Sequence, residues 1–273
     1  MPETLLGIAL LREFVESVFL TGRVMECEPQ SALLIAQPES GKTSVVLEKN
    51  VASAVALSDV TGRGLQELCK MKPEISHLII NDMVAVMSHR QTVNRYTLSM
   101  INAMTEEGIQ ATAFPGQLET YGNGRRGLIA CLTSDLVSDG RAWWNKIGLT
   151  SRVIPFSYYH STELTLKIKA AIDSGKNEKR KEAPPPREAL FIPKERVVVK
   201  LASREARKIR LLADEKSKEI QETGYRRLKQ FRSLARGHAI WRRQRAPYAV
   251  AEDDVRFLER IFPYMSYTEA RPL

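Results

Sequence analysis

Gly41, Lys42 and Thr43 have the types and order needed to hold a phosphate. They close the stretch Ala36-Gln37-Pro38-Glu39-Ser40-Gly41-Lys42-Thr43, which follows the apolar run Ala32-Leu33-Leu34-Ile35 and precedes Ser44-Val45-Val46-Leu47. An apolar strand, a tight turn and a Gly-Lys-Thr helix start are the layout of a phosphate-binding loop, with a chance Gly-Lys-Thr in a surface loop as the bland alternative. Backbone N–H groups of the turn and the positive end of the helix face phosphate oxygens. Ser40, Gly41, Lys42, Thr43 and Ser44 are thus the candidate nucleotide-binding residues. Lys42 would reach the β- and γ-phosphates, and the Thr43 hydroxyl would ligate Mg²⁺. The first position of such loops is usually Gly; here it is Ala36, which resists a positive φ.

Apolar strands alternating with helices must position this loop. Residues 4–21 have helical spacing, and Gly22 ends that helix. After the loop and its helix, strands are expected at Ala54–Leu57, at Ile75–Ile80 running into Asn81 and Asp82, at Leu128–Leu132 and at Val153–Tyr158. Helices are expected at about 64–70 and 91–107. Such alternation predicts a parallel sheet covered by helices on both faces. A helix at 162–173 leads into Lys-rich residues 175–181 and Pro184-Pro185-Pro186, a solvated, partly stiff connector. Beyond it, helices are expected at about 202–222, 224–245 and 251–262. The expected division is a nucleotide-binding α/β domain over 1–161, a connector over 162–187 and a basic helical domain over 188–273.

The formal net charge is +9. Residues 188–245 hold 17 Lys and Arg against seven Asp and Glu, an excess of ten positive charges. A field concentrated in this way suits contact with a nucleic-acid backbone, so DNA is the expected partner. Solvated helices with i,i+4 pairs such as Asp214 and Lys218 are the bland alternative. No charge-free apolar run approaches the ~20 residues of a membrane span. The charged N-terminal segment argues against a signal peptide, so the expectation is a cytoplasmic protein without a membrane partner. Cys27, Cys69 and Cys131 are scattered and read as reduced, buried small hydrophobes. His77, His89, His160 and His238 are isolated and suggest no metal site.

In order, the motifs resemble those of an AAA+ P-loop ATPase of the minichromosome-maintenance-like (helicase or loader) branch. The Lys42 loop is similar to Walker A and Leu78–Asp82 to Walker B. Leu132-Thr133-Ser134-Asp135 stands where a polar sensor 1 ends its strand. Gly148-Leu149-Thr150-Ser151-Arg152 resembles the segment bearing the arginine finger. Tyr225-Arg226-Arg227-Leu228 with Leu234–Ala239 resembles the lid helix bearing sensor 2, and Val250–Val255 the start of the last helix. The resemblance implies a P-loop NTPase fold, a sheet sandwiched by helices with a C-terminal helical lid, and ATP and Mg²⁺ as cofactors.

It also implies roles. Asp82 would hold Mg²⁺ directly or through water. Thr133 or Ser134 would orient water or contact the γ-phosphate. Arg152 would stabilise charge on a neighbouring subunit's ATP, and Arg226 would reach the same phosphate from the lid. The family normally has Asp-Glu at the Walker B end, and here the chain reads Asn81-Asp82-Met83. In one register Asp82 is the Mg²⁺ carboxylate and Met83 replaces Glu. In the other, Asn81 replaces the metal ligand and Asp82 is the base. Glu106 and Glu107 are candidate substitute bases or helix-terminal acids.

Gly122-Asn123-Gly124-Arg125-Arg126-Gly127 lies where the family carries a DNA-gripping hairpin, so Arg125 and Arg126 are the candidate nucleic-acid contacts. Trp143, Trp144 and Trp241 could stack bases or fill the core. The resulting expectation is a homo-oligomeric ring or filament that acts on DNA as a motor or loader, from a mobile element or phage. The alternative is an ATP-dependent DNA-binding switch that recruits a recombinase or replication partner with slow or no hydrolysis.

Overall fold

A computed structural model describes residues 7–49, 51–109, 111–114, 117–120, 124–173, 190–219 and 224–273. The basic and Pro-rich connector residues 175–186 lie outside these. Six parallel strands form the main sheet among the described residues. They are β1 (Ser31–Ile35), β2 (Ala54–Leu57), β3 (His77–Ile80), β6 (Gly127–Leu132), β7 (Val153–Tyr159) and β10 (Arg271–Pro272), in the order β10-β7-β1-β6-β3-β2. The short hairpin β4 (Ala111–Phe114) and β5 (Gln117–Thr120) stands apart, as does a parallel pair, β8 (Val199–Lys200) and β9 (Tyr248–Ala249).

Alternation sorts the central strands onto two apolar faces. Ala32, Leu34, Ile129, Cys131, Ile154 and Phe156 point to one, and Leu33, Ile35, Leu78, Ile80, Leu128 and Leu132 to the other. Both sets are buried, so β1, β3, β6 and β7 read as nearly continuous apolar runs. The first face is covered by α1 (Ala9–Thr21), α2 (Lys42–Glu48), α9 (Ser203–Glu219), α10 (Tyr225–Arg243) and α11 (Glu252–Ile261). The second is covered by α3 (Gly62–Met71), α4 (Met83–Met87), α5 (Gln91–Glu106), α6 (Ser134–Lys146) and α7 (Leu149–Arg152). A further helix, α8 (Thr162–Asp173), follows β7.

The expected strands and helices are present within a few residues of their predicted ends. The helical C-terminal region does not keep a core of its own. Phe231, Leu234, Val255 and Leu258 join α1 and the β1–β7 face in one continuous apolar cluster. Small residues allow the close crossing of α1 and α10. A Cβ at Gly237 would collide with the Ser17 carbonyl oxygen, so any larger residue there must push the helices apart.

A buried polar knot pins the same crossing. His238 lies between Asp254 Oδ1, 2.7 Å from Nδ1, and Glu13 Oε1, 2.9 Å from Nε2. Its ring stacks on Phe257 at 4.2 Å. Arg242 engages Asp254, Arg260 engages Glu13, and Trp241 Nε1 donates to Glu16 at 2.6 Å. Trp144 is buried in the core, and Trp143 faces Arg95 at 4.9 Å. With Trp241 tied to Glu16 and packed on the core, the core alternative fits the tryptophans better than base stacking. The Cys27, Cys69 and Cys131 thiols are free and buried, as expected.

Candidate nucleotide site and arginine cleft

The helix after β1 packs on one face of the sheet and the helix after the neighbouring β6 on the other. A crevice therefore opens beyond the C-terminal ends of these two strands, where open α/β sheets hold their ligands. Residues 36–41, between β1 and α2, fill the mouth of that crevice. Their left-handed positions are Glu39 (φ 61°) and Gly41 (φ 83°); Ala36 has no positive φ. The loop thus places its strain three residues after the expected position. Ala36 instead extends the sheet, its N–H donating to Leu132 O at 3.2 Å.

Lys42 is nearly buried, and Nζ donates to Ala36 O (2.6 Å), Gln37 O (2.7 Å) and Ser40 Oγ (3.2 Å). Burial lowers its pKa, and the Asp82 charge opposes that shift. The neighbouring Cys131 thiol is pushed up to about 12 by burial, so it is neutral near pH 7 and Asp82 is the anion that counts. Tyr158, from β7, donates to Ser40 O at 3.0 Å and ties the loop to the sheet. Gln37 Nε2 donates to Ser134 Oγ at 3.3 Å, which brings one sensor 1 candidate to the loop. Thr133 is otherwise engaged: its hydroxyl caps α6 at Leu136 N–H.

Thr43 Oγ1 donates to the Asn81 carbonyl at 3.3 Å. Asn81 Oδ1 is buried without a hydrogen-bond partner among the described residues, and Asp82 Oδ1 accepts from Val84 N–H at 2.9 Å as the cap of α4. These oxygens are hard donors of the kind Mg²⁺ takes, so Thr43, Asn81 and Asp82 fit the ion. Met83 is 2% exposed and faces the core. Placing the metal carboxylate at Asp82 therefore leaves a methionine that cannot take a proton in the next position. Among the described residues no group of three or more His, Cys, Asp or Glu is arranged to hold a metal.

Arg152 and Arg226 are not at this crevice. Arg152 ends α7 and immediately precedes β7, which runs parallel to β1 with Ser31 opposite Val153. It lies at the N-terminal edge of the sheet, one strand length (about 16 Å at ~3.3 Å per residue) from the loop that follows β1. Glu106, the last residue of α5, holds both arginines. Its Oε2 takes Arg152 Nε and Nη2, and its Oε1 takes Arg226 Nη2 at 2.5 Å. Arg226 Nη1 also donates to Ser151 Oγ at 2.5 Å. Burial and the adjacent Arg226 charge lower the Arg152 pKa. A Cβ at Gly148 (φ +75°) would collide with Arg152 Nη1, so glycine lets the guanidinium fold over its own helix. The substitute-base reading of Glu106 fails, because its carboxylate is at the edge of the sheet opposite Lys42.

These groups line a cavity of about 580 Å³ with Arg125, Lys229, Arg232 and Arg236. Arg226, Lys229, Arg232 and Arg236 repeat along one stripe of α10. Nothing in the apolar periodicity of that helix singled the stripe out; only its charge did. A larger cavity of about 790 Å³, lined by Arg141, Lys216, Arg227, Tyr267 and Arg271, contains no residue of the 36–43 loop.

The hairpin among the described residues precedes the Gly122–Gly127 stretch: β4 and β5 pair antiparallel with Phe114 opposite Gln117, and Gly124-Arg125-Arg126 leads into β6. Of the tip residues, 122 and 123 lie outside the described ones. Arg126 is 1% exposed and donates to Gly124 O (2.8 Å) and Cys69 O (3.2 Å), so it cannot be a tip contact with DNA. Arg125 is exposed and faces the cleft instead.

No helix among the described residues is long and apolar enough to cross a membrane. No protein-family model matches the chain, and no curated protein is significantly similar to it in sequence.

Proposed function

We propose that the chain is an ATP-binding P-loop ATPase of the AAA+ kind, assembling head to tail on DNA as a motor or loader. The observation that carries this reading is the division of charge between opposite edges of one sheet. Lys42, Thr43 and Asp82 stand beyond the C-terminal ends of β1 and β3, while Arg152 and Arg226 stand together at the N-terminal edge. Neither group can complete a triphosphate site within its own chain. A second copy that presents its arginine edge to the first copy's loop completes one, and such heterologous contacts propagate into rings or filaments. On binding, Lys42 Nζ would exchange loop carbonyls for phosphate oxygens, and Thr43 with Asn81 or Asp82 would hold Mg²⁺, which screens the triphosphate charge.

The ATP-dependent switch that recruits a recombinase or replication protein keeps one specific support. With Met83 in the core and Glu106 engaged by arginines, Asp82 is the carboxylate left to activate water at this crevice. Turnover is then slow, and the bound state carries the function.

The test is particle size and DNA binding with and without ATP, repeated with Lys42→Ala. The expected result is ATP-dependent growth and DNA affinity that Lys42→Ala removes. Equal behaviour of both proteins would sink the reading. Strand displacement on a forked duplex separates motor from switch.

A further inference from the structure

We propose that the arginine cleft is a triphosphate receptor which the isolated chain keeps closed with its own Glu106. This rests on the head-to-tail reading above and adds its regulation: a γ-phosphate on a second copy's nucleotide displaces the carboxylate.

Glu106 occupies the place of a ligand. Each of its two oxygens takes one arginine, which is how two oxygens of a phosphoryl group meet paired guanidinium groups. The three residues come from α5, α7 and α10, far apart in sequence, so the carboxylate is the common anchor of otherwise separate elements.

The cleft is undersatisfied even so. Six cations (Arg125, Arg152, Arg226, Lys229, Arg232 and Arg236) line it against three acids (Glu26, Glu28 and Glu106), a surplus of three. Arg232 Nε is buried and has no hydrogen-bond partner among the described residues. A buried guanidinium nitrogen without an acceptor is costly, and a polyanion entering the cleft would relieve it.

Glu106 is also a weak tenant. It sits at the C-terminal end of α5, where the helix dipole disfavours an anion. Its side chain is 30% exposed and that of Arg226 41% exposed, so water screens the pair. A phosphate brings more negative charge and more acceptor oxygens than one carboxylate. The competition therefore runs in favour of the triphosphate, while Glu106 prevents looser anions from bridging two copies.

The test uses inorganic tripolyphosphate and calorimetry on full-length chains that carry Lys42→Ala, so the phosphate loop contributes nothing. Adding Glu106→Gln should tighten tripolyphosphate binding about tenfold, within the usual span of coupling energies. Adding Arg152→Ala with Arg226→Ala should abolish the gain. Unchanged or weaker binding with Glu106→Gln, in a protein whose melting shows it folded, overturns the proposal. A gain for a single-stranded oligonucleotide but none for tripolyphosphate overturns it as well. If Glu106→Gln fails to fold, Glu106→Asp, which keeps the charge but shortens its reach, should give a smaller gain; no gain overturns the proposal. Failure of the ATP reading registers separately, as an unaltered response to ATP when Lys42→Ala is made alone.

Discussion

On the proposed reading, the two edges of the sheet would meet a phosphate by different means. At the C-terminal edge the binding groups are mostly backbone, drawn from one run of residues and satisfied by their own loop: Lys42 is solvated by Ala36 O, Gln37 O and Ser40 Oγ. At the N-terminal edge the groups are side chains from two separate helices, satisfied by a carboxylate from a third, Glu106. A backbone loop is preorganised and needs little reorganisation to receive a ligand. A side-chain cluster neutralised by an internal acid must first release that acid. On that reading one edge would be ready to bind, and the other held back until its partner arrives.

The strongest way to break this comparison is complementation. Lys42→Ala should abolish nucleotide binding yet leave the arginine edge intact, while Arg152→Ala should leave nucleotide binding intact. Arg152→Ala should lose turnover by about a thousandfold, the usual worth of a charge-stabilising arginine supplied in trans, and Lys42→Ala should lose it together with the nucleotide. Mixing the two should restore a measurable fraction, because some interfaces then pair an intact loop with an intact arginine. Turnover that stays flat on mixing, with both variants folded, would show that the two edges do not share a site.

The same contrast explains what could be read from the chain. The strand, turn and helix start around Lys42 were legible because they lie within about 15 consecutive residues. The strand pattern was legible because buried parallel strands need unbroken apolar runs such as Leu128–Leu132. Ala36 is tolerated at the usual glycine position because the left-handed residues of this loop are Glu39 and Gly41. The Glu106 clasp was out of reach, since Glu106 and Arg226 are 120 positions apart and only tertiary packing joins them. Arg126 failed for a related reason. Charge suggests solvent exposure, but a guanidinium is buried readily when backbone carbonyls such as Cys69 O accept from it.

A pH series sharpens the comparison, because α10, which carries the basic stripe, is pinned at His238. Burial works against the imidazolium, but the hydrogen bonds it donates to Asp254 and Glu13, with their charges, outweigh it and raise the pKa above its ordinary value. A raised folded-state pKa means the contribution is complete below the unfolded value near ~6.5 and is lost as pH climbs through the folded value. Glu13 and Asp254 go the other way. Burial alone would raise them, yet His238, Arg260 and Arg242 hold both below the usual carboxylate range. Their contribution is lost as pH falls through those lowered values. Thermal melts should therefore decline as pH climbs above the ordinary imidazole value of about 6.5, and His238→Gln should flatten that limb while lowering Tm throughout. Nucleotide binding at the Lys42 loop should not follow the same curve. An identical alkaline slope in the variant would remove His238 from the account.

The smallest expected effects come from one residue at each edge. Gly148 (φ +75°) and Glu39 (φ 61°) both occupy the left-handed region, one as glycine and one not. Gly148→Ala should cost about 1–2 kcal/mol from the backbone, plus whatever is needed to push Arg152 aside. Glu39→Gly removes similar backbone strain but adds unfolded-state freedom worth about 0.5–1 kcal/mol, so the net gain is small. Melting temperatures of the two variants should move in opposite directions, with the larger shift downward at Gly148. The functional consequences should separate too. Glu39→Gly also deletes a negative charge at the phosphate loop, which favours an incoming triphosphate, so nucleotide binding should tighten slightly. Gly148→Ala should leave that binding alone and weaken the association of copies instead, because the guanidinium it displaces is the one offered to a partner. If Gly148→Ala weakened nucleotide binding by the monomer, the two edges would be coupled within one chain, and their division of labour would have to be redrawn.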